Sequence, residues 1–127
     1  MEQEIFGYKF LDGALLQAAL THPSTKIKAN YEKLEFLGDR ILSAVIAEYL
    51  YKLHPSEVEG DLAKRLTAFI NGEILAEIAR EFKLNERIIL GAGEQKLGGT
   101  NKSSNLENCL EAIIGAVFLD GGGKAAK

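Results

Sequence analysis

Residues 31–51 read YEKLEFLGDRILSAVIAEYLY, and the periodicity of this stretch decides the fold class. At about 100° per residue, Leu34, Leu37, Ile41 and Val45 fall along one side of a helix, while Glu32, Glu35 and Asp39 form a narrow stripe opposite. The pattern holds from about Tyr31 to Leu53, where His54-Pro55 stops it. Like charges at this spacing cost a helix roughly 0.2 to 0.5 kcal/mol per pair, and no Lys or Arg lies within the stripe to neutralise them. Two readings are open. The stripe is a solvated acidic face, or it is one wall of a site for a hard cation such as Mg²⁺ or Mn²⁺, which favours carboxylate oxygens held at fixed separation.

Working outward, the chain is a run of helices with polar punctuation. Asp12 is placed to cap a helix carrying Leu15, Leu16, Ala19 and Leu20, which ends near Thr21-His22-Pro23. Beyond His54-Pro55, Ser56 and Glu59 make a capping-box pattern for a helix with Leu62, Leu66, Phe69 and Ile70 on one face. Asn71-Gly72 breaks the chain again, and Ile74, Leu75, Ile78, Ala79 and Phe82 predict a fourth helix. A Gly-rich polar stretch, residues 91–104, reads as a mobile loop. No period-2 run is long enough for a sheet and no internal repeat is visible, so the expected class is all-α.

The last periodic segment, NLENCLEAIIGAVF at residues 105–118, carries a second acidic edge. Asn108 and Glu111 are three apart, and Gly115 continues roughly the same stripe with Ala112 and Ala116 beside it. Small residues let another helix come close. Gly38 does the same in the long helix, where a glycine costs about 1 kcal/mol relative to Ala and needs a packing reason. Two helices crossing at their small residues would bring the two acidic edges face to face.

Composition bounds the rest. The chain has 127 residues, 46% hydrophobic and 26% charged, which suits one domain with a real core, spanning 1–127. Charges interrupt every apolar run before the roughly 18 residues a membrane span needs. No basic-then-apolar leader opens the sequence, and the single Cys109 precludes an internal disulfide or a cysteine metal site, so a reducing cytoplasm is expected. The net charge is −3, from 15 Lys plus Arg against 18 Asp plus Glu. A general polyanion binder is normally basic, so contact with nucleic acid would need bound cations or a separate basic module.

These residues also carry a family resemblance. The segment from Tyr31 to Asp39 is similar to the N-E-R-L-E-F-L-G-D signature of the ribonuclease III endonuclease domain. Further stretches follow in family order: FGYKF and LLQAALTHPS before it, EGDLAK at 59–64, GAGEQKLGG at 91–99 and LEAIIGAVFLDGG at 110–122. The resemblance implies an all-helical homodimer that hydrolyses both strands of double-stranded RNA with Mg²⁺, leaving 5′-phosphate and 3′-hydroxyl ends. It implies that Glu35, Asp39 and Glu111 are metal-binding carboxylates, with Asp39 and Glu111 at the centre of catalysis and Asn108 where most members have Asp. It also sets Glu32 and Glu59 near the active-site valley and RNA, and makes Phe36, apolar on a charged helix edge, a dimer anchor seated in the partner. Glu59 keeps its capping-box alternative, and Lys96 and Lys102 are either phosphate contacts or solvated loop residues. His22, in THPS, matches a family THxS element and reads as structural.

The sequence departs from the family pattern in three ways. The arginine of Lys64-Arg65-Leu66 falls one place early, so no role is carried onto it. Nothing resembles the double-stranded RNA-binding domain that commonly follows. Asn108 brings an amide in place of a carboxylate: it coordinates with less charge, marks a damaged site, or only orients a neighbouring carboxylate. Glu107 points about 100° from Asn108 and does not simply replace it.

Overall fold

The computed structural model describes residues 4–122; residues 1–3 and 123–127, the outer edges of the expected domain, lie outside the described residues. A short antiparallel hairpin, β1 (Glu4–Ile5) and β2 (Tyr8–Lys9), precedes the helices α1 (Gly13–Leu20), α2 (Glu32–Leu53), α3 (Glu59–Phe69), α4 (Gly72–Glu81), α5 (Ala92–Lys96) and α6 (Ser103–Gly121). The hairpin is two residues per strand, too short to leave a period-2 signal, and the mostly helical class stands.

α6 is the central element. It packs against α1, α2 and α4, and Leu106, Cys109, Leu110, Ala112, Ile113, Ala116 and Val117 are all buried. Such a helix is apolar nearly all round because it has neighbours nearly all round. Cys109 is a core residue, its Sγ 3.5 Å from the Ala19 carbonyl and its thiol pushed up to about 12 by burial. The core continues through Phe10, Leu16 and Ala19 on one side and Leu75, Ala76 and Ala79 on the other. Among the described residues, no helix is long and apolar enough to cross a membrane.

Several helix ends follow their local signals. Asp12 caps α1 by accepting from the Ala14 N–H, and Asn71 caps α4 by accepting from that of Ile74. α3 does not begin as its sequence suggests. Its N-cap is Val58, without a side-chain cap bond, and Ser56 lies in the preceding turn, so there is no capping box. Glu57 is drawn instead into a two-pronged ion pair with Arg65, at 2.7 Å on both arms, which anchors that turn to the helix.

The Gly-rich stretch also has more structure than expected. It contains α5 and a 3₁₀ turn, Gly99–Asn101, and is tied down by a polar chain. The Ser24 N–H donates to His22 Nδ1, which leaves Nε2–H to donate to Asn105 Oδ1 at 2.9 Å. Asn105 Nδ2 in turn donates to Glu94 Oε2 and the Gly99 carbonyl. Lys102 closes the chain at 2.9 Å from Glu94, holding that carboxyl below its usual range. His22 is therefore structural. Lys102 is committed to Glu94, and Lys96 stays exposed.

Candidate metal centre

The site is built where α2 crosses α6. Gly38 is buried there, and a Cβ on it would land on the Glu111 carbonyl, while one on Gly115 would land on the carbonyl of Leu34. The two backbones touch directly, and only glycine permits it. That contact brings Glu35 and Asp39 of α2 against Glu111 of α6.

The electrostatics record how closely the acids are gathered. Glu111 is only 6% exposed, and its carboxyl is pushed up to about 8, first by burial, then by hydrogen bonding and charge from Asp39, then by Glu107 and Glu35. Glu35, half-buried, is raised by burial and by the charges of Glu107, Asp39 and Glu32. A raised carboxyl marks a place where a proton or a cation would relieve repulsion. Even so, among the described residues no three His, Cys, Asp or Glu side chains close into a ready metal cage. The acids neighbour one another without yet converging on one point, as like charges do.

The stripe does have one cation beside it. Arg40, adjacent to Asp39 in sequence, curls back to its carboxylate at 2.9 Å while its guanidinium lies 5.3 Å from the centre of the Phe36 ring. Counting cations only within the stripe missed it, because a long arginine reaches beyond its own angular position. This exposed pair contributes little to stability.

Asn108 stands beside Tyr31, whose phenol is pushed up to about 12 by burial, an effect that hydrogen bonding with the Asn108 side chain partly offsets. Glu32 is exposed at the start of α2 and acts on Glu35 by charge. Glu59 is set apart: it opens α3 and lines a 260 Å³ apolar cavity with Ala47, Leu50, Tyr51, Leu62 and Leu66. Phe36 is 65% exposed, so it is no intrachain core residue. The sequence missed Glu107, which acts on both Glu35 and Glu111. Its signal was available, because positions 107 and 111 are one helical turn apart.

The ribonuclease-III-like family profile matches residues 12–127. The chain belongs to that family. Ribonuclease III-like chains similar to it include Ribonuclease 3 of Ehrlichia ruminantium (strain Welgevonden), 52% identical over 98% of this chain and 56% of the relative. Ribonuclease 3 of Anaplasma marginale (strain Florida) is 49% identical over 96% of this chain and 53% of its own length. This ribonuclease III-like chain thus spans about half the length of the curated relatives it matches. In structure it resembles the nuclease domain of ribonuclease III from Campylobacter jejuni, described for structural flexibility in a region involved in dimer formation. The TM-score is 0.91, with 44% identity, covering 94% of this chain and 83% of that one.

Proposed function

We propose that this chain is the catalytic domain of a metal-dependent endoribonuclease that hydrolyses double-stranded RNA to 5′-phosphate and 3′-hydroxyl ends, in cytoplasmic RNA processing. The observation that carries the reading is the meeting of Glu35, Asp39 and Glu111 at a crossing fixed by backbone contact. Buried Glu111 has acids about it and no cation among the groups that shift it. The donor set is all oxygen, which suits Mg²⁺, with Mn²⁺ able to substitute. When bound, such an ion lowers the pKa of a water, offsets phosphate charge and stabilises the leaving 3′ oxygen.

The chain's own residues set the rest. Glu35, Asp39 and Glu111 supply charge, and the short, stiff path from Gly38 to Asp39 fixes the register of the two walls. Asn108, beside Tyr31, would bring a neutral amide oxygen in place of a carboxylate, so metal is held less tightly than by a site with Asp there. Glu32 and Glu59 border the path for RNA. Phe36 is the anchor of a homodimer: it stands exposed, and the apolar cavity between α2 and α3 is the surface suited to receive its counterpart from a second copy.

The test is incubation of the purified chain with long double-stranded RNA across Mg²⁺ and Mn²⁺ titrations. Products with 5′-phosphate ends are expected. RNA that is bound yet uncut at every metal concentration would end the nuclease reading and leave a domain that serves binding or assembly. In sedimentation, Phe36→Ala is expected to weaken self-association by about 2 kcal/mol.

A further inference from the structure

His22 stands between the starts of the two helices that carry the acids. Its main chain is pinned by donation to the Ile89 carbonyl at 2.8 Å, and the adjacent Thr21 carbonyl accepts from the N–H of Tyr31, the N-cap of α2, at 3.0 Å. The His22 ring meets the Tyr31 ring edge-on, with centroids 5.4 Å apart. Its Nε2–H reaches the other wall, at Asn105 in the first turn of α6. Asn105 is buried, and one orientation of its amide serves every partner: Oδ1 accepts from His22, while Nδ2 donates to Glu94 and to the Gly99 carbonyl. From this tie to the glycine crossing is about 10 Å along α2, Tyr31 to Gly38, and about 9 Å along α6, Asn105 to Glu111. Glu35 and Asn108 lie between. Helices that touch in one region can still pivot there, whereas a second tie fixes their angle as well as their approach.

We propose that His22 is a positioning residue for the cation site: through Asn105 it holds the first turn of α6 at a set angle to α2, and so sets how far Asn108 and Glu111 stand from Glu35 and Asp39. The inference rests on the metal reading above and extends it to a residue outside the acidic cluster. A narrower role is confined to the 3₁₀ turn Pro23–Thr25, which His22 caps by accepting from the Ser24 N–H on Nδ1. The two ring nitrogens separate the roles. Asparagine matches the reach of Nδ1 and can accept from Ser24, while glutamine matches that of Nε2 and can donate to Asn105.

The experiment measures Mn²⁺ binding by the loss of the free-ion electron paramagnetic resonance signal, on the full chain without RNA, alongside thermal unfolding and the Mg²⁺ dependence of cleavage. His22→Asn is expected to weaken Mn²⁺ binding by about tenfold and to raise the Mg²⁺ needed for half-maximal cleavage in step, with kcat at saturating Mg²⁺ little changed. His22→Gln is expected to bind Mn²⁺ as the unsubstituted chain does, although it gives up the Ser24 bond. A role in the turn alone would lower Tm most in His22→Gln and leave Mn²⁺ binding unchanged in both. If both variants bind Mn²⁺ as before, while Glu111→Gln loses it, the inference falls with the metal reading intact. Equal losses in the two variants would also overturn it, because the Asn105 bond would not be what matters. Should His22→Asn fail to fold, Asn105→Ser, which drops the same bond from the α6 side, is expected to show the same loss, and unchanged binding there overturns the inference. If the unsubstituted chain shows no saturable Mn²⁺ binding, the metal reading and the inference fall together.

Discussion

Glu111 and Asp120 sit on the same helix, nine residues apart, and their surroundings push their protons in opposite directions. Asp120 accepts from the N–H groups of Leu11 and Asp12, both at 2.8 Å, and from the Tyr8 hydroxyl at 2.7 Å. Those donors, the Leu11 amide foremost, hold its carboxyl below the ordinary range. Glu111 is buried among acids and is pushed up to about 8. One end of α6 uses a carboxylate to tie the hairpin and α1 to the helix. The middle of the same helix holds a carboxylate at the expense of folding, as the proposed role of Glu111 at a cation site requires.

The contrast breaks most clearly under isosteric substitution. Glu111→Gln is expected to reduce cleavage by about a hundredfold or more while Tm holds or rises, and Asp120→Asn to lower Tm while cleavage per folded molecule is retained. Paired activity and melting measurements read both. If Glu111→Gln cuts RNA normally, Glu111 is no ligand and the comparison collapses.

Gly38→Ala tests whether the crossing is what separates the two positions. An added Cβ would force α2 from α6 at the Glu111 carbonyl, at a cost of about 3 kcal/mol in denaturant unfolding. The tie at Asp120 lies beyond that contact. Hydrogen exchange is therefore expected to rise around Glu111 before it rises near Asp120; uniform exchange would mean the helix responds as one body.

Acid and base sharpen the same contrast. Glu111 ionises near 4.5 when unfolded and near 8 when folded, so between those values the folded chain holds the extra proton. Stability without metal is expected to fall as pH rises through that window, and Mg²⁺ to offset the fall by displacing the proton. Asp120 has the opposite sign. Its contribution is present above the ordinary value of 3.8 and is lost as pH falls through its lower folded value. Melting curves from pH 3 to 9 check both, and Glu111→Gln should flatten only the upper slope.

The smallest effect is expected from Arg40→Ala. Its pair with Asp39 is exposed, so unfolding free energy should change by less than about 1 kcal/mol. A larger loss would mean that the acidic cluster leans on this cation, narrowing its difference from the Asp120 end.

The helices and the main carboxylates were legible because both are written as spacing. Leu34 to Val45 gave the apolar side of α2, and Glu35, Asp39 and Glu111 were legible with Gly38 and Gly115 as the reason for a close crossing. What escaped were features set by reach or by a third element. Arg40 turned back along its own helix, and the Glu57 pair with Arg65 displaced the start of α3 from Ser56 to Val58. The spacing of Glu107 and Glu111 was visible within α6, but the contact of the Glu107 carboxylate with Gly72 at the start of α4 was not. The Gly-rich stretch was held by His22 and Asn105, residues far apart in sequence.

The glycine contact between α2 and α6 bears on ion size. Because main chain meets main chain, the distance between the two walls cannot be widened by rotating side chains, and only the carboxylates themselves can adjust. Mg²⁺ binds oxygen at about 2.0 to 2.1 Å and Ca²⁺ at about 2.3 to 2.6 Å with more ligands. If the proposed site holds a cation, a frame this stiff is expected to discriminate by radius, so Mg²⁺ should bind more tightly than Ca²⁺, and equal affinities would show that the walls give way.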